Sequence, residues 1–359
     1  MTKMNSKFEN KEGIVFVDDY PLAKAILDSE NFQVPDLYGF LSRLEEATDI
    51  SLEHLKLNIW CSPFFLEGER QQEIRKLYFK YINNTTLKLW KPFIDQAIES
   101  VVKTIPENVP FDVVTDIGEK IFTRIARPML GVFPKNEALF DEKAMTLQRL
   151  VEPMLSIKKL QAIDRDLFEL MAQLHGTETA IELEGMPTHS LLTALVENEK
   201  IPIDEAYALV TTLYAAMAPL AQSVVSLVEY IYVNKITNEN ELHEIVEKQI
   251  QNFVAPNFIH RVVKRGCVIG EMRFSEGDTI LIDIRGTVSK AGGQQHLSFG
   301  HGLHFCLGAA RSKMVMKKVV TEITKKIEVA EIIVSELDLA NSIAMAHKQL
   351  IVKKAQIDE

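Results

Sequence analysis

Cysteine is scarce in this 359-residue chain: Cys61, Cys267 and Cys306 are the full set, with no CxxC pair and no zinc-ligand spacing. So sparse and odd a set excludes a disulfide framework and suits a reducing compartment. Basic charge is short as well. Forty Lys and Arg against fifty Asp and Glu leave a net charge of −10, which argues against nucleic acid as a partner, because phosphate binding wants a basic surface. Residues 1–12 are polar and lack the apolar run of a signal peptide. Residues 206–228 carry no charge and reach bilayer-spanning length. Thr211, Thr212, Pro219, Gln222, Ser223 and Ser226 within them suit a helix buried in a large protein better than one facing lipid. The expectation is a soluble, cytoplasmic protein with no membrane partner.

What the chain does have is apolar substance, 47% hydrophobic residues, enough for a sizeable core. Helical spacing predicts helices over 21–29, 113–129, 142–174, 190–198, 241–252 and 309–327. Residues 66–100 read as helix broken near Asn83–Asn84 and again before Pro92. Pro202, followed by Asp204 and Glu205, opens the long apolar helix with acids in its first turn. Short strands are expected at 261–264, 267–269, 272–274 and 279–284, punctuated by Gly266, Gly270 and Gly277. Residues 176–189 read as a loop, and Gly292–Gly293 open another. The fold class is mainly α with a small β region: a flexible 1–12, then one domain over 13–359.

The chemistry gathers in Leu-Ser-Phe-Gly-His-Gly-Leu-His-Phe-Cys-Leu-Gly-Ala-Ala, residues 297–310. It is a glycine-rich loop running into a helix, with one cysteine at the junction. Gly300 and Gly302 let the backbone turn tightly against a flat partner. Cys306 precedes the helix N-terminus, whose dipole and free amides favour a thiolate, the form that binds iron. A lone cysteine in a glycine loop is ordinarily structural, and Cys61 and Cys267 are read that way, as packing residues.

The whole string decides otherwise for Cys306. Phe299, Gly300, Gly302, His304, Cys306 and Gly308 reproduce, at every spacing, the haem-binding loop Phe-Gly-x-Gly-x-His/Arg-x-Cys-x-Gly. The sequence resembles the cytochrome P450 family, shortened. The resemblance implies a P450-like fold, haem b as cofactor, Cys306 as axial iron ligand and His304 as a propionate contact. Residues 66–77 are similar to the family's C-helix entry, with Arg75 at its arginine position and Gln71 where the family has histidine. His260-Arg261, soon after Pro256, resembles the strand whose arginine holds the other propionate.

Several features depart from the family. The long helix is similar to the one crossing above the haem, yet where the family places Ala/Gly-Gly-x-Asp/Glu-Thr, this chain reads Ala215-Ala216-Met217-Ala218-Pro219. The acid–alcohol pair that relays protons becomes Ala218 and Pro219, which cannot titrate. Met217, Ala218, Pro219 and Gln222 are the candidate distal residues, with Gln222, Thr212 or a water as the replacement relay. Pro219 should also release the Ala215 carbonyl and kink the helix. The family's Glu-x-x-Arg is replaced by Lys248-Gln249-Ile250-Gln251, and the meander before the cysteine loop shrinks to 285–295. The family's Leu-Ala-Arg becomes Arg311-Ser312-Lys313.

The resemblance implies an oxidoreductase, a monooxygenase or peroxygenase acting on a small organic substrate of the natural-product kind. A ferredoxin-type donor would dock on Arg70, Lys76, Lys80, Lys313, Lys317 and Lys318. Two alternatives stay open: an oxygen-independent rearrangement or dehydration enzyme, and a non-catalytic P450-like partner protein. Tyr38, Phe40, Trp60, Phe64, Phe65, Tyr214 and Met217 are candidates to line the pocket, Met217 foremost.

Overall fold

The computed structural model describes residues 10–11, 13–107, 109–151, 155–176, 184–248, 250, 256–290, 295–338 and 346–355. The chain begins with β1 (Asn10–Lys11) and β2 (Ile14–Val17), then α1 (Tyr20–Asp28), β3 (Phe32–Gln33), α2 (Leu37–Ala47) and α3 (Glu53–Trp60). Next come α4 (Gly68–Tyr81), α5 (Asn84–Lys103), β4 (Phe111–Asp112), a π-helical turn Val114–Glu119 and α6 (Lys120–Leu130). α7 (Glu137–Ala144), a 3-10 helix Met145–Val151, α8 (Ile157–Ala172) and α9 (Leu191–Glu197) lead to α10 (Ile203–Met217), α11 (Pro219–Asn234) and α12 (Glu239–Lys248). The chain then forms β5 (Phe258–Val263), β6 (Cys267–Ile269), β7 (Met272–Phe274), β8 (Thr279–Asp283) and α13 (Ile284–Lys290). A 3-10 turn Gly302–His304, α14 (Ala309–Lys326), β9 (Ala330–Leu337) and β10 (His347–Lys354) complete it.

The strands form a five-stranded sheet in the order β1-β2-β8-β5-β3, a three-stranded sheet β4-β10-β9, and the hairpin β6-β7. The fold is mainly helical with small sheets, as expected. Side-chain caps set several helix starts: Asp19 accepts from the Leu22 amide, Asn83 from Thr85 and Thr86, and Ser190 from Thr193. Asn83 is therefore the physical cause of the break between α4 and α5.

Several expectations need correction. Pro92 does not end a helix but lies inside α5. Trp90, Ile94, Ile98, Val101 and Val102 are buried along α5, and this packing outweighs one lost backbone bond. Residues 142–174 are three pieces rather than one helix. Residues 284–290, for which the sequence predicts no helix, are α13. Of the N-terminal segment expected to be flexible, Asn10–Lys11 pair with Ile14–Val15, while 1–9 and 12 lie outside the described residues. So do Gln249 and Gln251, and residues 177–183 of the loop expected at 176–189.

Three hydrophobic cores meet at the cysteine loop. One packs α3, α4 and α6–α10, a second packs α5, α11, α12, α14 and β10, and a third lies on the five-stranded sheet. Leu297 is buried in the sheet core, Phe299 packs on the second and Leu307 on the first. The loop is thus held from three sides. Residues 203–234 form a helix long and apolar enough to cross a membrane, with 67% of its most apolar window buried inside the protein. Its first half serves one core and its second half the other.

Candidate functional site

The cysteine loop is closed by its own backbone. The Cys306 amide donates to the Phe299 carbonyl at 2.7 Å, Gly300 to Leu297 at 2.8 Å and Phe305 to Gly302 at 3.0 Å. Gly300 and Gly302 have φ of 72° and 62°, and a Cβ on Gly300 would lie 3.1 Å from the His304 carbonyl oxygen. Both glycines are required by the turn itself. His301 Nε2 lies 2.7 Å from Asp28 at the end of α1 and anchors the loop tip.

Cys306 keeps accessible surface although protein surrounds it on most sides. Burial pushes its thiol up, opposed by the Gly308 amide, the charges of Arg75 and Arg311, and the Ala309 amide. The helix-end donors expected to favour the thiolate are therefore present, but by themselves they do not outweigh desolvation. A metal would tip the balance, since a coordinating thiol is deprotonated outright.

α4 braces the loop. Gln71 is buried and donates from Nε2 to the Leu303 carbonyl at 3.0 Å. One turn on, Arg75 donates to the Phe305 carbonyl at 2.9 Å. Tyr78, a further turn along, donates to the carbonyls of Cys61 and Leu209 and locks α4 onto α10. His304 Nε2 lies 3.5 Å from Glu67, which also accepts the Val34 amide. Arg261 on β5 is buried and donates to the carbonyl of His260. Burial lowers its pKa, and the charge of Glu67 opposes that. The structure thus brings Gln71, Arg75, Phe299, Gly300, His304, Cys306 and Gly308 into one assembly, with Arg261 close enough to feel the charge of Glu67 but not bonded to it among the described contacts.

On the long helix, Met217 ends α10 and Pro219 begins α11, with Ala218 between them only 8% exposed. The Ala215 carbonyl, which Pro219 cannot bond, accepts from Gln148 Nε2 at 3.2 Å. Gln222 accepts the His347 amide at 3.0 Å and so braces β10. Thr212 Oγ1 lies 3.4 Å from the carbonyl of Asn58. Tyr214, a candidate pocket residue, is instead fully buried and donates to Asp141. Five of the six candidate docking cations carry carboxylate partners, Lys76 being the exception among the described pairs: Arg70 pairs with Glu205, Lys80 with Glu199, Lys313 and Lys317 with Glu247, and Lys318 with Glu99 and Glu322. Glu247 thereby ties α12 to α14, on the helix where the family's Glu-x-x-Arg would lie.

No protein-family model matches the chain. It is similar to the putative cytochrome P450 YjiB of Bacillus subtilis, 21% identical over 318 residues, which span 80% of this chain and 79% of that protein. It is also similar to the beta-dihydromenaquinone-9 omega-hydroxylase of Mycobacterium tuberculosis, 21% identical over 364 residues, 91% of this chain and 74% of the relative. Among solved structures, P450BioI in complex with a hexadec-9Z-enoic acid-ligated acyl carrier protein superposes with a TM-score of 0.80 at 15% identity, covering 95% of this chain and 92% of that one. The chain has the cytochrome P450 fold.

A P450 carries haem, and the residues in hand fit that group. A cysteine sulfur with accessible surface sits beside two amides and two guanidinium groups. The cations Arg75 and Arg261 donate to neutral carbonyls, partners that a carboxylate would outcompete, since charge-assisted bonds are the stronger. Sequence reasoning gave no role to Gln148 and noted Arg311 only as a departure. Arg311 had a legible signal: it heads the i, i+4 series Arg311, Val315, Val319, Ile323, every member of which is buried.

Proposed function

We propose that the protein is a haem–thiolate oxidoreductase that oxidises a small organic molecule, with haem b carried on Cys306. The observation that carries this is the setting of the Cys306 sulfur, reachable, flanked by the Gly308 and Ala309 amides, and neighboured by cations. When bound, thiolate-ligated iron supplies the electron density that favours O–O cleavage. Gly300 and Gly308 leave room for close approach, Phe299 fixes the cysteine amide, and Arg75, His304 and Arg261 hold the propionates, with Gln71 positioning the loop. Met217 and Ala218 present an apolar distal face at the helix break. The hydroxylase relative supports monooxygenation as the reaction class. A cytoplasmic location agrees with three unpaired cysteines and a long apolar helix buried in two cores.

A second reading has a specific observation behind it. Neither Ala218 nor Pro219 can move a proton, and Gln222 is committed to β10. This favours an oxidant already at the peroxide level, or a redox-neutral rearrangement, over dioxygen fed by a ferredoxin. The paired state of the candidate docking cations points the same way.

The test is reconstitution with haem, followed by the reduced, carbon monoxide-bound spectrum of the parent and of Cys306→Ala. The red-shifted thiolate band in the parent, lost in the variant, is expected; a parent without it overturns the reading. Turnover with peroxide against turnover with a ferredoxin system then separates the two oxidative routes.

A further inference from the structure

Trp60 stands at the surface, while the chain's other tryptophan, Trp90, is buried. It ends α3, whose Leu55, Asn58 and Ile59 face the core, and it keeps 40% exposure. Its ring is nevertheless held in place. Tyr38 packs on it with centroids 5.2 Å apart and planes at 47°. The Arg70 guanidinium lies 4.9 Å from the Trp60 centroid and is itself fixed by Glu205 at 2.7 Å.

Tyr38 and Trp60, both expected to line a substrate pocket, form the aromatic wall of a cavity of about 460 Å³. That size falls within the roughly 300–1,000 Å³ of small-molecule sites. Glu45, Glu53, Lys56 and Leu57 are among the rest of its lining, and no residue that grips the cysteine loop belongs to it. Arg70 is outside the lining too, so it steadies the indole without filling the cavity.

The charges of the lining do not cancel. Glu45 and Lys56 answer each other at 2.8 Å. Glu53 is left over: His54 Nε2 is 3.7 Å away, too far for a hydrogen bond, and the carboxylate is 75% exposed. The chain's own side chains show what the aromatic wall accepts. Lys56 Nζ lies over the Tyr38 ring, 5.3 Å from its centroid, as Arg70 lies over Trp60. Ring faces attract cations through their quadrupole. An anion would meet those faces and an unanswered carboxylate, and a neutral ligand would gain nothing from Glu53.

We propose that this cavity binds a small organic ammonium ion, with its charged head against the indole of Trp60 and its charge answered by Glu53. The site is separate from the haem–thiolate reading and does not depend on it.

The test uses the full chain and two probes of one shape, choline and 3,3-dimethylbutan-1-ol, in which carbon replaces the charged nitrogen. Binding is read from the broadening of each probe's methyl resonance on titration, and thermal unfolding checks that each variant is folded. Choline should bind about tenfold more tightly than the neutral probe. Trp60→Leu should remove most of that preference, and Trp60→Phe should keep most of it. Lys56→Met should strengthen choline binding, because it frees the Tyr38 face and leaves Glu45 unpaired. Equal binding of the two probes overturns the proposal, as does the absence of saturable choline binding. Unchanged choline binding in Trp60→Leu overturns it too, since the cation would then sit elsewhere. Weaker choline binding in Lys56→Met also overturns it, because the lysine would then be helping the ligand. Should Trp60→Leu fail to fold, Trp60→Phe and Lys56→Met carry the test.

Discussion

Gln148 donates to the carbonyl of Ala215, the group that Pro219 leaves without its helical partner. The 3-10 helix that carries Gln148 is thereby fastened to the helix break that borders the site. Removing the donor leaves the carbonyl of buried Ala215 with only the long bond from the Ala218 amide, at 3.3 Å, a loss of about 1 kcal/mol. Denaturant unfolding of Gln148→Ala should show it. In a Pro219→Ala background residue 219 regains an amide for Ala215, so the same substitution should cost much less. Equal costs in the two backgrounds would show that the two residues are not coupled.

Gly300 offers a second measurement. Its φ is 72° and a Cβ would meet the His304 carbonyl at 3.1 Å. Gly300→Ala should lose roughly 1–3 kcal/mol of stability, from backbone strain and crowding together. Because the strain falls on the cysteine loop, haem retention should fall with it, read as the haem-to-protein absorbance ratio after gel filtration.

Glu229 sets an acid-side dependence. The His347 ring hydrogen-bonds its carboxylate at 2.9 Å, and although burial opposes the effect, the carboxyl stays below the ordinary glutamate value of 4.5. The unfolded chain therefore binds the proton more readily than the folded one just below that pH. The contribution is complete above pH 4.5 and is lost as pH falls through the depressed folded value. Glu229→Gln should lower stability at neutral pH by roughly 1–3 kcal/mol and flatten this part of the acid limb. A parental acid limb in the variant would assign the dependence to other groups.

Glu247 ties α12 to α14 through Lys313 and Lys317 at 2.8 and 2.6 Å, yet its side chain is 44% exposed. Solvent screens such pairs, so Glu247→Gln should cost about 0.5 kcal/mol at low salt and nearly nothing at high salt. A larger, salt-independent loss in thermal unfolding would mean that the pairs act as a buried unit.

Much of the site was legible because it is local. Phe299 through Gly308 form one turn whose glycines, cysteine and helix start follow from backbone conformation. Arg75 and Gln71 were found at their helical spacing, although what they grip, the carbonyls of Phe305 and Leu303, lies about 230 residues further along the chain. β9 and β10 were not anticipated: β9 is largely exposed, and what holds it is pairing with β10, a long-range property. The docking cations looked free because a sequence does not show which carboxylates fold back beside them.

The sequence by itself determined the helical character, the cysteine loop and the loss of titratable groups at the helix break, because each depends on neighbours within a few residues. Only the tertiary structure decided that Gln148 caps Ala215, that Gln222 is committed to β10 and that Arg311 is buried against Met217. Those relationships join elements far apart in the chain, and they exist only once three separate cores have closed around one loop.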